Sequence, residues 1–101
     1  MTCEHRFLKS AQTDYENVIA YLCSATGGRT AARSFANTLD EKIELICSNP
    51  PLFALSRIPE LAALGYRAAL VGNYVMLYFF RDGVIYIAHI FHQRQDYARF
   101  V

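Results

Sequence analysis

No single sign of charge dominates this chain: ten Lys and Arg stand against nine Asp and Glu, a formal charge of +1 over 101 residues. A near-neutral protein lacks the global field by which strongly basic chains attract phosphates, so any nucleic-acid role would have to rest on a local patch. Long apolar runs are missing too. The longest, Tyr74 to Phe80, is well short of the roughly 18 residues that a membrane-spanning helix requires. Met1 to Lys9 has no apolar core of the signal-peptide kind, and a soluble cytoplasmic protein is expected. Cysteine is scarce: Cys3, Cys23 and Cys47 are far apart, with no C-x-x-C pair and no histidine at zinc-finger spacing. That usage fits a reduced compartment. Glycine-rich phosphate loops, nucleophile elbows and metalloprotease motifs are also absent. We expect no cofactor and no metal, and see no self-sufficient enzyme signature.

What the chain does have is apolar side chains. Hydrophobic residues make up 53% of it, with seven Tyr and seven Phe, enough burial to offset the entropy of ordering one domain over residues 1–101. The N-terminal part to Ser56 holds five basic and six acidic residues, whereas Arg57, Arg67, Arg81, Arg94 and Arg99 face Glu60, Asp82 and Asp96 beyond it. The mild positive excess is therefore C-terminal and entirely arginine.

The periodicity predicts an α+β domain, an N-terminal helical hairpin packed on a small antiparallel sheet. His5 to Leu8 reads as a short edge strand, and Ser10 as the N-cap of a helix from Ala11 to Ser24. Ala11, Tyr15, Val18 and Leu22 form its apolar face. After Thr26-Gly27-Gly28, a second helix from Thr30 to Cys47 carries Ala32, Phe35, Leu39, Ile43 and Ile46 inward before Asn49-Pro50-Pro51 stops it. Asp40, Glu41 and Glu44 make its solvated face. Leu52 to Gly65 reads as a loop with one helical turn. From Tyr66 on, aromatic and β-branched runs are split by Gly72-Asn73 and Asp82-Gly83, two-residue turns that predict a three-stranded meander.

Two such turns dictate a register in which Arg67, Tyr78 and Ile87 share one row, and Ala69, Met76 and His89 the next. One face then holds Tyr66, Ala68, Leu70, Val75, Leu77, Phe79, Tyr86, Ala88 and Ile90, the expected core against the helices. The other holds Arg67, Ala69, Tyr74, Met76, Tyr78, Ile87, His89 and Phe91, the expected functional surface. Arg67 beside Tyr74 and Tyr78 would suit a phosphate and stacked bases; the same residues would equally fill an exposed sheet face or meet a protein. His92, Arg94, Asp96 and Tyr97 follow the last strand. An imidazole suits general acid or base work and Arg94 the charge of a phosphorane, while the structural alternative has Asp96 paired with an arginine and His92 capping the strand. His89, between hydrophobes, reads as satisfied or partner-facing.

The order of these motifs resembles one known family. The Ala11…Asp14…Tyr21 helix, the Tyr66-Arg67 strand, Gly72-Asn73-Tyr74-Val75-Met76-Leu77-Tyr78, and the His92-x-Arg94-x-Asp96 end are similar to RelE/ParE superfamily toxins of bacterial type II toxin–antitoxin pairs. The resemblance implies a small cytoplasmic growth inhibitor blocked by a cognate antitoxin. Two branches share the fold: one cleaves messenger RNA on the ribosome, the other inhibits DNA gyrase. Arg67 and Arg94 match positions where the ribonucleases carry basic residues, but Ala69 and Val75 stand where further ones are usual. The His92-x-Arg94-x-Asp96 ending looks more like the ParE side. The resemblance thus implies a gyrase inhibitor whose target or antitoxin surface comprises Arg67, Tyr74, Met76, Tyr78, His89, Phe91 and Asp96. The alternatives are an mRNA endoribonuclease using His92, Arg94, Arg67 and Tyr97, or a degenerate toxin that only binds its antitoxin. Met76, Ile87 and Phe91, if uncovered, would also favour a homodimer in the free toxin.

Overall fold

The computed structural model describes residues 4–25, 27–49, 53 and 55–94. In chain order these form β1 (Glu4–Phe7), α1 (Lys9–Ser24), α2 (Gly28–Ser48), α3 (Pro59–Ala63), β2 (Arg67–Val71), β3 (Tyr74–Arg81) and β4 (Val84–His92). The α+β hairpin-on-sheet architecture is as the periodicity predicts. Two boundaries differ. α1 begins at Lys9 with Leu8 as an uncapped N-cap residue, because the Ser10 hydroxyl donates instead to the carbonyl of Ala88 at 2.7 Å. α2 begins at Gly28, its N-cap Gly27 taking φ 106°, a left-handed conformation that glycine adopts without the steric cost of a Cβ.

The four strands lie in the order β1-β4-β3-β2. β1 joins β4 in parallel, so the sheet is mixed and β4 runs through its interior. Both hairpin turns contain two residues, as expected. Asp82 and Gly83 both have positive φ, 53° and 79°, the signature of a type I′ turn whose twist matches that of the flanking strands.

The β2–β3 register agrees with the sequence reading, Arg67 opposite Tyr78 and Ala69 opposite Met76. Tyr78 also lies opposite Ile87, but one step further Leu77 faces His89 and Met76 faces Ile90. Ala88 is the extra residue of a β-bulge. Because side chains alternate with a period of two, one inserted residue exchanges the faces of everything beyond it. His89 and Phe91 therefore do not share a row with Met76, and Ile90 and His92 lie on the opposite face from the one the regular ladder predicts.

The face assignment is inverted as well. α1 and α2 pack on Ala69, Val71, Met76, Tyr78, Ile85, Ile87 and Ile90, with Phe35, Leu39, Ile43 and Ile46 of α2 opposite. Val75, Leu77 and Phe91 belong to a second cluster on the other side of the sheet, closed by Leu61 of α3, Ile58 and Tyr66. Both faces are apolar, so apolarity could not discriminate between them, and a helix-facing layer tolerates Tyr78 because its hydroxyl bonds the Phe53 backbone. Met76, Tyr78 and Ile87 are wholly buried and Phe91 nearly so; they form no exposed surface, and self-association has no basis in them. Of the described cysteines, Cys23 is free and exposed, whereas Cys47 is disulfide-bonded, a departure from the reduced state expected.

Candidate functional site

β1 pairs with β4 only as far as Ile87; past that point the first turns of α1 lie along the β4 edge. Leu8 donates its amide to the Ile87 carbonyl at 2.9 Å, and Ser10 takes the Ala88 carbonyl. The Asp14 carboxylate accepts the amide of Ile90 at 3.0 Å. A bulge leaves backbone groups without ladder partners, and here side chains of α1 supply them. Asp14 Oδ2 also lies 3.7 Å from His89 Nδ1.

Between α1 and the ends of β3 and β4 runs an open cleft of about 720 Å³, lined by Lys9, Thr13, Asp14, Asn17 and Tyr21 on the helix and by Tyr74, His89, Phe91 and His92 on the sheet. His92 lies opposite Tyr74 in the ladder, their rings edge to face with centroids 5.3 Å apart. His92 Nδ1 accepts the Arg94 amide at 3.2 Å, so the neutral ring carries its proton on Nε2. Tyr74 in turn rests edge-on against Phe35 of α2, which fixes the phenol that His92 touches. Burial raises the Tyr74 pKa, with a smaller contribution from Tyr21, keeping the phenol neutral. Burial lowers the His89 pKa, and Asp14 opposes that shift. Among the described residues no three His, Cys, Asp or Glu side chains converge as metal ligands would.

The structure thus brings Tyr74, His89 and His92 to one cleft, with Phe91 at its wall. It does not bring Arg67 there. Arg67 begins β2, where its guanidinium donates to the Phe53 carbonyl at 2.8 Å; the Tyr74–His92 pair lies at the other end of the β2–β3 hairpin. Arg94 is exposed just past His92. Met76 and Tyr78 are in the core, and Asp96 and Tyr97 lie outside the described residues. The sequence reading missed Lys9, Ser10 and Asp14 as site residues. Its available signal was Asp14 itself, a carboxylate set between Ala11 and Val18 on the apolar stripe of α1, where a charge needs a buried partner.

A family model described as ParE toxin of type II toxin-antitoxin system, parDE, matches residues 6–97. The chain belongs to the ParE toxin family. Among solved structures it is similar to one titled as the chromosomal ParDE TA system from P. aeruginosa, at 14% identity and a TM-score of 0.69, covering 89% of this chain and 95% of that one. It is also similar to YafQ from E. coli strain BL21(DE3), at 16% identity and a TM-score of 0.59, covering 92% of this chain and 96% of that one. At such identities these likenesses concern the fold. No curated protein sequence matches significantly. The protein is accordingly a toxin of the type II toxin–antitoxin class, and the RelE/ParE resemblance of its motifs holds over nearly the whole chain. Among the described residues no helix is long and apolar enough to cross a membrane.

Proposed function

We propose that this ParE-family toxin arrests growth by inhibiting DNA gyrase, as a non-catalytic inhibitor, and that a cognate antitoxin neutralises it. The observation that carries the reading is the separation of Arg67 from His92. Phosphoryl chemistry needs its acid or base and its charge-stabilising cation within about 3 Å of one phosphate. Four residues of ladder separate Arg67 from the His92 end, roughly 13 Å along the strands, and Arg67 is already bonded to Phe53. The formal charge of +1 also offers little to a protein entering ribosomal RNA. A surface that binds a protein target needs only anchors, and the half-exposed Tyr74 and His92 with the exposed Arg94 supply aromatic and arginine groups of the kind that carry binding energy.

The test is plasmid supercoiling by gyrase with the purified chain titrated in, run beside messenger RNA on programmed ribosomes. Loss of supercoiling with intact message is expected. Gyrase activity unchanged at large excess, together with message cleavage abolished by His92→Ala and Arg94→Ala, would move the protein to the ribonuclease branch; neither effect would leave an antitoxin-binding module.

A further inference from the structure

The two described cysteines are in opposite states: Cys47 is disulfide-bonded, while Cys23 is free and exposed. Helix geometry shows why they are not each other's partner. Cys23 sits in the last turn of α1 beside the start of α2, its carbonyl 3.7 Å from where a side chain on Gly28 would begin. Cys47 lies nineteen residues further along α2 than Gly28, about 28 Å away at the rise of an α-helix. A disulfide bridges Cα atoms no more than about 7 Å apart. The chain has three cysteines, and elimination leaves Cys3, which lies outside the described residues and directly precedes the first residue of β1. β1 itself packs against α2.

β1 is an element with little of its own to hold it. Of its four residues Glu4, His5 and Arg6 are exposed, and only Phe7 reaches the core, so burial does little to offset the entropy of ordering a chain end. Yet the cleft depends on it. β1 runs into α1 through Leu8, whose amide donates to the Ile87 carbonyl at 2.9 Å, and the next turns place the Ser10 hydroxyl on Ala88 and the Asp14 carboxylate on Ile90. A link from the residue before β1 to the last turn of α2 closes a loop of β1, α1 and nearly all of α2. A cross-link over so long a loop stabilises by restricting the unfolded chain. Cys47 is only partly buried, within reach of a small thiol. Disulfides of proteins in a reducing compartment, the setting that the cysteine usage predicts, are as a rule transient and redox-sensing.

We propose that Cys47 is joined to Cys3 and that this bond is a redox-operated staple of the N-terminal strand, opened by a dithiol reductant. One thiolate of the dithiol attacks a sulfur of the bond, and the other cysteine leaves as a thiolate. The second thiol of the reductant then displaces the mixed disulfide. The reductant ends as a cyclic disulfide and both cysteines as thiols, two electrons and two protons having passed to the protein. With the staple open, β1 frays and the bonds of Leu8, Ser10 and Asp14 along β4 weaken. The inference does not rest on the gyrase reading, since it concerns how the cleft is held together.

The full chain purified without reductant, treated with iodoacetamide and digested with trypsin, should give the peptide of residues 1–6 joined to that of residues 43–57, with Cys23 alkylated. Dithiothreitol under native conditions should raise the mass by about 2 Da and lower Tm by at least about 8 °C. It should also quicken hydrogen exchange at the Leu8 amide at least about tenfold. Cys3→Ser, which leaves the α2 side of the bond unaltered, and Cys47→Ser should each show the lower Tm with or without dithiothreitol, whereas Cys23→Ser should respond as the wild type does. A different cysteine pair, a Cys47 that is alkylated without reduction, a bond that dithiothreitol opens only after unfolding, or a Tm unchanged by reduction would each overturn the proposal.

Discussion

Asp14 shows how one side chain can hold the site together. Its carboxylate takes the Ile90 amide on the β4 edge past the end of β1, so Asp14→Ala leaves that N–H without a partner and should cost about 1–3 kcal/mol. Asp14→Asn keeps an acceptor and should cost less. Urea midpoints for the two variants decide this, and equal losses would mean the hydrogen bond is not what Asp14 contributes. His89 adds a pH dependence with a definite sign. Its folded-state pKa lies below the ordinary 6.5 because of burial, so the unfolded chain takes up the proton first as pH falls, and stability declines as pH drops through about 6.5 toward the folded value. Above about pH 7.5 the imidazole is neutral in both states and contributes no slope. Relative to His89→Gln, the wild type should therefore lose stability between about pH 7 and 5; parallel curves would remove the effect. Arg67 and His92 separate in the same way by stability. Arg67→Ala strips a donor from the Phe53 carbonyl and should cost about 1–2 kcal/mol, whereas His92→Ala, at the cleft surface, should stay within about 0.5 kcal/mol. A growth-arrest defect in His92→Ala with unchanged stability would mark the histidine as functional.

Among the elements, the bulge in β4 decides which residues meet in the cleft. The two turns and the row Arg67–Tyr78–Ile87 were legible in the sequence, because glycine and Asp-Gly chemistry is local. The parity beyond Ala88 was not legible, because the groups that stabilise the bulge, Ser10 and Asp14, lie 78 and 76 residues before their partners. Nor could apolarity alone say which sheet face the hairpin covers, since α3, a five-residue helix that had read only as one turn in a loop, caps the other face through Leu61. The helices themselves were plain from their spacing, and Ala32, Phe35, Leu39, Ile43 and Ile46 are buried as that spacing requires. Deletion of Ala88 tests the bulge directly. With the extra residue gone, a regular ladder keeps His89 opposite Leu77 and His92 opposite Tyr74 but takes away the Ala88 carbonyl that Ser10 bonds, for a loss of about 1–3 kcal/mol. A deletion variant that keeps its thermal midpoint would show that neither the bulge nor the Ser10 bond contributes to stability.

At the scale of the whole molecule, one sheet separates two apolar layers, and this sets how the protein unfolds. The helix-side cluster uses Met76, Tyr78, Ile87 and Ile90; the outer cluster uses Val75, Leu77 and Phe91. These residues alternate along the same two strands, so neither layer can lose its packing while the β3–β4 ladder stays intact for the other. Coupling through a shared ladder predicts one cooperative transition for both. Leu39→Ala on the helix side and Leu77→Ala on the outer side each remove a fully buried side chain and should each cost about 2–5 kcal/mol, a fall in Tm of at least about 8 °C for a chain of this size. With no tryptophan and seven tyrosines, tyrosine fluorescence reports tertiary packing while far-ultraviolet circular dichroism reports the helices. The two signals should move together in both variants. If Leu77→Ala instead gave an early fluorescence transition with helicity retained, the outer layer would be an independent unit, and the β2 edge it adjoins could open without unfolding the cleft on the other side.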